Sequence, residues 1–180
     1  MLNGKETLMK RLLLVVFFVL QAACAGVPPD QAKDAQTGPV ASAEDFRVVA
    51  GSGWKGHLSY LDYSSEALTK IPVELQVDEP HGRTLRYSIR YPGEAQHNAR
   101  EKIKLSRDGR KLNGGLIIAR ERNDNGDLIL VTTYQGEDDN RPADIRVTYT
   151  IGSTAFSISK EVRIQGESDY FLRNQYSLVR

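Results

Sequence analysis

Residues 145–151 read Ile-Arg-Val-Thr-Tyr-Thr-Ile, and this strict alternation of apolar and polar side chains predicts the fold of the chain. Successive side chains of a β-strand point to opposite faces, so a period of two indicates a strand with one buried and one wet face. Residues 71–77 and 85–91 repeat the pattern. Together the three segments are typical of an antiparallel sheet whose inner face covers a core.

Weaker strand patterns fill most of the remaining chain, and turn-forming Pro, Gly, Asn and Asp residues separate them. About 8–10 short strands with no long helix predict an all-β fold, an antiparallel up-and-down barrel. A β-sandwich is the alternative, but a Greek-key sandwich needs longer crossovers than these short connections provide. The weaker segments are residues 54–62, 102–106, 112–120, 128–135, 155–164 and 170–179.

Two local signals refine this prediction. Ser42 is a favourable cap for a short N-terminal helix, whose first turn would hold Glu44 and Asp45 close to the positive end of the helix dipole. Gly114 and Gly115 interrupt the segment 112–120 and indicate a bulge or bend there. We therefore expect the barrel domain to span residues 44–180.

The N-terminus contains an export signal. Lys10 and Arg11 precede the apolar run 12–20, which is too short to span a bilayer, and small residues follow before Cys24. The segment resembles the signal of bacterial lipoproteins, which implies lipidation of Cys24. A lone cysteine, with no partner for an intramolecular disulfide, fits this interpretation. Ordinary signal-peptidase cleavage near residues 23–25 is the alternative, and would give a soluble periplasmic or secreted protein.

This resemblance assigns two parts to the chain upstream of the barrel domain. Residues 1–23 are the expected signal peptide, and residues 24–43 are the expected lipidated cysteine and flexible tether, rich in Pro, Ala, Asp, Gln and Gly. Ala25 after the cysteine favours the outer over the inner membrane, by resemblance to lipoproteins of diderm bacteria. The 24 basic and 23 acidic residues nearly cancel, so we expect no nucleic-acid partner.

The two ends of the domain resemble lipocalin-like (calycin) barrels. Phe46, Gly51, Gly53 and Trp54 match the short helix and Gly- and Trp-containing first strand of that family. The resemblance implies a closed barrel end where an Arg packs on the Trp. If the last strand pairs antiparallel with the first, residues 178–180 lie beside Trp54, and strand parity selects Arg180 rather than Arg173.

Four tyrosines are candidate ligand-binding residues. They share the parity of the apolar residues of their strands, and a barrel of about eight strands either holds one small ligand or is filled by side chains. The rings would line a site for an apolar or amphipathic molecule, or else would pack the core. The four are Tyr60, Tyr87, Tyr149 and Tyr176.

No catalytic or metal motif outranks a structural interpretation. His57, His81 and His97 have no second ligand at metal-binding spacing, and residues 137–140 are interpreted as a solvated turn. A basic cluster is interpreted either as a contact for anionic headgroups or glycans, or as edge-strand protection against aggregation. Its members are Arg100, Lys102, Lys104, Arg107, Arg110 and Lys111.

From these observations we expect a non-enzymatic envelope lipoprotein, without cofactor or metal, that binds a small apolar or amphipathic ligand in a barrel. The alternative is an interaction or structural module whose packed barrel contacts proteins or the cell wall by its surface. A void of several hundred Å3 inside the barrel would favour the first function.

Overall fold

The computed structural model of the protein describes residues 38–63 and 67–180, which form an all-β domain. A 3-10 helix at Ala43–Val49, here called the plug helix, precedes the strands, and a single 3-10 turn lies at Ala95–His97. No helix in the described ranges is long and apolar enough to cross a membrane. The strands are β1 (Gly51–Asp62), β2 (Ala67–Val77), β3 (Thr84–Arg90), β4 (Ala99–Lys104), β5 (Lys111–Leu112), β6 (Gly115–Arg122), β7 (Leu128–Asp138), β8 (Arg141–Ile151), β9 (Ala155–Ile164) and β10 (Phe171–Val179).

The ten strands form one antiparallel sheet that curls into a nearly closed up-and-down barrel. Their order is β4-β3-β2-β1-β10-β9-β8-β7-β6-β5, so strands that follow one another along the chain are neighbours, and β1 also pairs with β10. The two edge strands meet at a bridge between Leu105 and Leu112. The predicted barrel is confirmed, and the two packed sheets of a sandwich do not form.

The seam between β1 and β10 joins the beginning of the domain to its end. The register runs from Lys55 opposite Val179 to Tyr60 opposite Asn174. At Gly56 the strands approach so closely that a Cβ atom would overlap the carbonyl oxygen of Ser177. Only glycine fits this position without moving the backbone of β10.

The inward and outward faces of the clean strands follow the predicted parity. Val73, Leu75 and Ile89 are buried on the inner face, whereas Arg86 and Arg90 are exposed on the outer face. A slip of one residue would reverse every one of these positions, so the burial of the apolar set fixes the register.

The plug helix closes one end of the barrel, as its apolar side predicts. Phe46 and Val49 are buried, and Asp45 and Ser42 form a capping box in which the Ser42 amide donates to the Asp45 carboxylate at 2.8 Å. Arg120 on β6 pairs with Asp45 at 2.8 Å and ties the helix to the wall.

The chain already contacts the barrel before the helix begins. The amide of Ala41 donates to the Gly109 carbonyl at 2.9 Å, and the Ala41 side chain is buried. The packed part of the chain thus includes residues that the sequence assigns to the tether.

Two strand predictions are corrected by backbone irregularities. The segment 112–120 is two strands, because Asn113 and Gly114 both have positive φ angles (49° and 89°) and turn the chain between β5 and β6. On β10 the register shifts between Leu172 and Asn174. This bulge pairs Leu172 with Glu161 on the outward face, although strict alternation from Tyr176 assigns Leu172 to the interior.

Candidate ligand site in the barrel interior

The packed end of the barrel comprises Phe46, Val49, Trp54, Phe156 and Leu178, all nearly inaccessible to water. Trp54 is 0% exposed, and its ring lies 6.0 Å from the ring of Phe156 in a tilted arrangement. Its indole Nε1 donates to the Val49 carbonyl at 2.8 Å, which satisfies the polar atom that burial would otherwise leave unpaired. Trp54 therefore joins β1 to the last residue of the plug helix.

Arg180 covers the outer side of this tryptophan. Its guanidinium carbon lies 4.4 Å from the ring centroid of Trp54, so the contact expected from strand parity is present. The same guanidinium donates to the carbonyls of Val48 (2.6 Å), Ala50 (2.9 Å) and Ser153 (2.9 Å). Arg180 thus connects the C-terminus with the plug helix and with the turn between β8 and β9, which the parity argument did not predict.

The four predicted tyrosines lie on the inward face of their strands. Tyr149 is 4% exposed, while Tyr60, Tyr87 and Tyr176 are partly buried against the core. Register connects them: Tyr149 and Tyr176 both lie opposite Ile158 of β9. The tyrosine-lined interior, as we call this region, consists of the four tyrosines, Tyr91 and Ile158.

Access to water changes sharply along the inner face. Side chains of the packed end are 0–2% exposed, yet inward side chains a few residues further along the same strands remain partly exposed. Since these side chains point into the barrel, solvent reaches them from inside or through a gap in the wall. The exposure of inward side chains increases along three strands: on β1 from Trp54 to Tyr60, on β9 from Phe156 to Ile158, and on β10 from Leu178 to Tyr176.

Polar groups accompany the tyrosines. The hydroxyls of Tyr91 and Tyr176 lie 3.0 Å apart, within hydrogen-bond distance. Glu101 lies opposite Tyr87 on the inward face, although its side chain is exposed. Burial raises the pKa of Tyr87, Tyr91 and Tyr176, and the nearby Glu101 carboxylate raises each further. These hydroxyls therefore stay protonated at neutral pH.

A slot in the wall opens beside this region. Strand β5 has only two residues, and β6 pairs with β7 no further than Leu116 opposite Thr133. The rest of β7, from Tyr134 to Asp138, pairs only with β8 in the described part of the chain. Tyr134, inward by parity, is 39% exposed at this slot. An early turn at Asn113 and Gly114 thus shortens one wall of the barrel.

A second polar cluster lies at the far end of β7. Asp138 is 5% exposed and accepts a hydrogen bond from the Tyr63 hydroxyl. Lys160 (3.5 Å) and Arg173 (3.4 Å) approach the same carboxylate, and Arg173 also covers the Tyr63 ring at 4.4 Å. Two cations around one buried carboxylate compensate its charge, so this cluster fastens strand ends together.

Sequence reasoning missed the polar residues of the interior. The interpretation of residues 137–140 as a solvated turn is wrong for Asp138, which belongs to the inner face, although the three other residues are exposed. Parity contains the missing signal, because Asp138 follows Leu130 and Thr132 at even positions, and Lys160 follows Phe156. Charged residues at the apolar positions of a strand therefore indicate buried polar contacts.

The remaining candidates lie apart from one another. His57 is exposed on β1, His81 is exposed in a turn, and His97 lies in the short 3-10 turn 4.0 Å from Glu94. No group of three or more His, Cys, Asp or Glu side chains in residues 38–63 and 67–180 is placed to hold a metal ion. A groove of about 820 Å3 lies outside the barrel between residues 38–45 and the β4–β5 loop.

The expected signal peptide, Cys24 and most of the expected tether lie outside the described residues. No protein-family model, no curated protein and no solved structure matches this chain. The physical argument for function therefore depends on the barrel itself.

Proposed function

We propose that the protein is a non-enzymatic envelope lipoprotein whose barrel binds a small apolar or amphipathic molecule, as lipocalin-like barrels do. The observation that carries the proposal is the partial exposure of inward side chains beside a densely packed end: Tyr60, Tyr87, Tyr91, Tyr176 and Ile158 are partly exposed, whereas Tyr149 among them is buried. A barrel stabilised only by its core gains nothing from leaving large inward side chains partly exposed, since burial of apolar area is the main stabilising term.

The chemistry of the lining fits an amphipathic ligand. Tyrosine rings and Ile158 offer apolar area, and the Tyr91 and Tyr176 hydroxyls offer hydrogen bonds at one side. Glu101, exposed and inward on β4, would face the polar part of the molecule. Binding sites commonly combine a mostly apolar wall with a few polar groups in this way.

Native mass spectrometry of the protein purified from its own envelope tests the ligand. We expect a discrete added mass that is released by organic solvent. Ile158→Trp, which fills the interior, should lose this mass, whereas Ser159→Trp, the next residue on the outward face, should keep it. Equal retention by both variants, or no added mass in the parent, would oppose the proposal.

The membrane anchor is a separate part of the proposal. A basic start, a short apolar run and small residues before the lone cysteine support acylation of Cys24. Mass spectrometry of the N-terminal peptide should find a diacylglyceryl adduct on Cys24, and Cys24→Ser should release the protein to the soluble fraction. An unmodified mature N-terminus would contradict lipidation and favour the soluble periplasmic or secreted location.

The alternative, an interaction module of the envelope, is favoured by one observation. The wall formed by β3 and β4 has exposed cations that form no ion pairs within the described residues. Two results together would support such a module: native mass spectrometry finds no added mass on the purified protein, and the exposed cations of β3 and β4 are required for binding to a partner.

A further inference from the structure

Two opposite walls of the barrel carry very different charge patterns. On β8 and β9 the outward charges are complementary: Arg146 lies 2.9 Å from Glu161, and Arg163 lies 2.7 Å from Asp144. The guanidinium groups of both arginines also cover the ring of Tyr170. Partners directly across an antiparallel ladder stabilise the sheet when their charges are opposite.

On β3 and β4 the outward charges have one sign. The register places Arg86 directly opposite Lys102, Ser88 opposite Arg100 and Thr84 opposite Lys104. Like charges in facing positions destabilise a ladder, and the outer faces of these two strands contain no acidic residue. The facing pair Arg86 and Lys102 therefore costs the sheet some stability.

The cations of this wall also lack partners elsewhere. The basic wall, as we call it, consists of Arg86, Arg100, Lys102, Lys104 and Lys111, all exposed. None of the five forms an ion pair with another residue of the described ranges. Because the whole chain has a net charge of only +1, this is a local concentration of charge and not a general basicity.

The N-terminal segment leaves the barrel beside the same wall. The Gly38 carbonyl accepts from Arg110 at 3.3 Å, and Ala41 bonds to Gly109 in the loop that follows β4. Exposed Arg83 and Arg107 border the same groove. Gly38, where the described part of the chain begins, thus lies next to the basic wall. Fully extended, residues 24–38 would span at most about 50 Å.

We infer that the basic wall binds the anionic headgroups of a lipid bilayer and orients the barrel against it. Charge complementarity points to an anionic surface, and a row of single-sign charges on a sheet face suits a planar one. The choice of a bilayer over another polyanion rests on the proposed Cys24 anchor, which would hold this side of the domain close to the membrane. The inference does not depend on a ligand inside the barrel.

Vesicle co-sedimentation of the full exported chain carrying Cys24→Ser tests this, because the protein then has no acyl anchor. We expect binding to phosphatidylcholine vesicles that contain about a third phosphatidylglycerol, little binding to pure phosphatidylcholine, and loss of binding at high salt. Each cation near an anionic surface contributes roughly fivefold to partitioning. Arg100→Gln/Lys102→Gln should therefore weaken binding by at least about tenfold.

Arg146→Gln/Arg163→Gln is the matched control, since it removes the same charge from the opposite wall. It should leave vesicle binding within about twofold, with thermal unfolding confirming that both variants fold. Equal weakening by the two variants would overturn the basic wall as the site. Retention on a heparin column without vesicle binding would overturn the bilayer as its partner. No binding to anionic vesicles and no retention on heparin, both at low salt, would overturn the wall and the bilayer together.

Discussion

The packed end and the tyrosine-lined interior are built from the same strands, but they differ in the fit of their side chains and in their access to water. Trp54 and Phe156 are fully buried and in ring contact, whereas Tyr60 and Ile158, on the same two strands and the same face, are only partly buried. The difference predicts that side chains of the packed end contribute more to stability than those of the tyrosine-lined interior. The neighbouring region is where the proposed ligand would bind.

Among the variants considered, removal of the indole at the packed end should lower the free energy of unfolding most. Trp54→Ala should lower the free energy of unfolding by about 3–5 kcal/mol, because it leaves a cavity and removes the bond to the Val49 carbonyl. Urea unfolding at neutral pH measures it. His57→Ala, outward on the same strand, is the control and should cost less than about 0.5 kcal/mol. A cost below about 1 kcal/mol for Trp54→Ala would show that the packed end does not dominate stability.

Matched isoleucine truncations sharpen the comparison. Ile89 is 3% exposed, so Ile89→Ala should cost about 2–5 kcal/mol. Ile158→Ala should cost clearly less, because this side chain already contacts solvent. Arg90→Ala, next to Ile89 but outward, should cost no more than about 0.5 kcal/mol. Equal costs for the two isoleucines would remove the distinction between the buried core and the tyrosine-lined interior.

A double-mutant cycle tests the contact of the Arg180 guanidinium with the Trp54 ring at the packed end. Trp54→Phe and Arg180→Met should each destabilise the domain, and the double variant should be less destabilised than their sum by about 0.5–1 kcal/mol, the value of an exposed cation–π contact. Strict additivity would mean that Arg180 acts only through its bonds to the backbone carbonyls of Val48, Ala50 and Ser153.

A rise to alkaline pH should lower the free energy of unfolding through the tyrosine-lined interior, by less than the substitutions above. Burial raises the pKa of Tyr87, Tyr149 and Tyr176 above the value near 10 of a free tyrosine. The folded state therefore holds these protons more tightly. This stabilisation is fully present below pH about 10 and is lost as pH rises toward the raised folded-state pKa values.

Urea unfolding at pH 9 and pH 11 measures the loss. Tyr176→Phe should show a smaller decrease between the two pH values than the parent, and Tyr170→Phe, on the outer face beside Arg146 and Arg163, serves as the control. An identical decrease in parent and Tyr176→Phe would contradict the role assigned to its buried hydroxyl.

The barrel could be predicted from sequence because alternation and turn residues are local signals. Residues 145–151 alternate without interruption, and the strand 155–164 has the bounds that its pattern predicts. The contact of Trp54 with Arg180 followed from closure of the sheet and parity alone. These features require only that each strand keep a period of two.

The features that the sequence did not predict depend on irregular backbone and on pairing between strands that are distant in sequence. The bulge beside Leu172 reverses parity for part of β10 and brings Arg173 to Asp138, and no residue type announces it. The turn at Asn113 and Gly114 opens the slot near Tyr134, whereas the sequence predicts only a bulge or bend within one strand there. The opposition of Arg86 and Lys102 became visible only with the register of β3 and β4.

The most direct test of the account is a fluorescence titration with the neutral apolar probe N-phenyl-1-naphthylamine. A neutral probe avoids the basic wall and reports on the interior. We predict saturable binding to the parent and to Ser159→Trp, and binding at least about tenfold weaker to Ile158→Trp, since the added indole fills the tyrosine-lined interior. No saturable binding to the parent, or equal binding to the two tryptophan variants, would contradict an accessible interior.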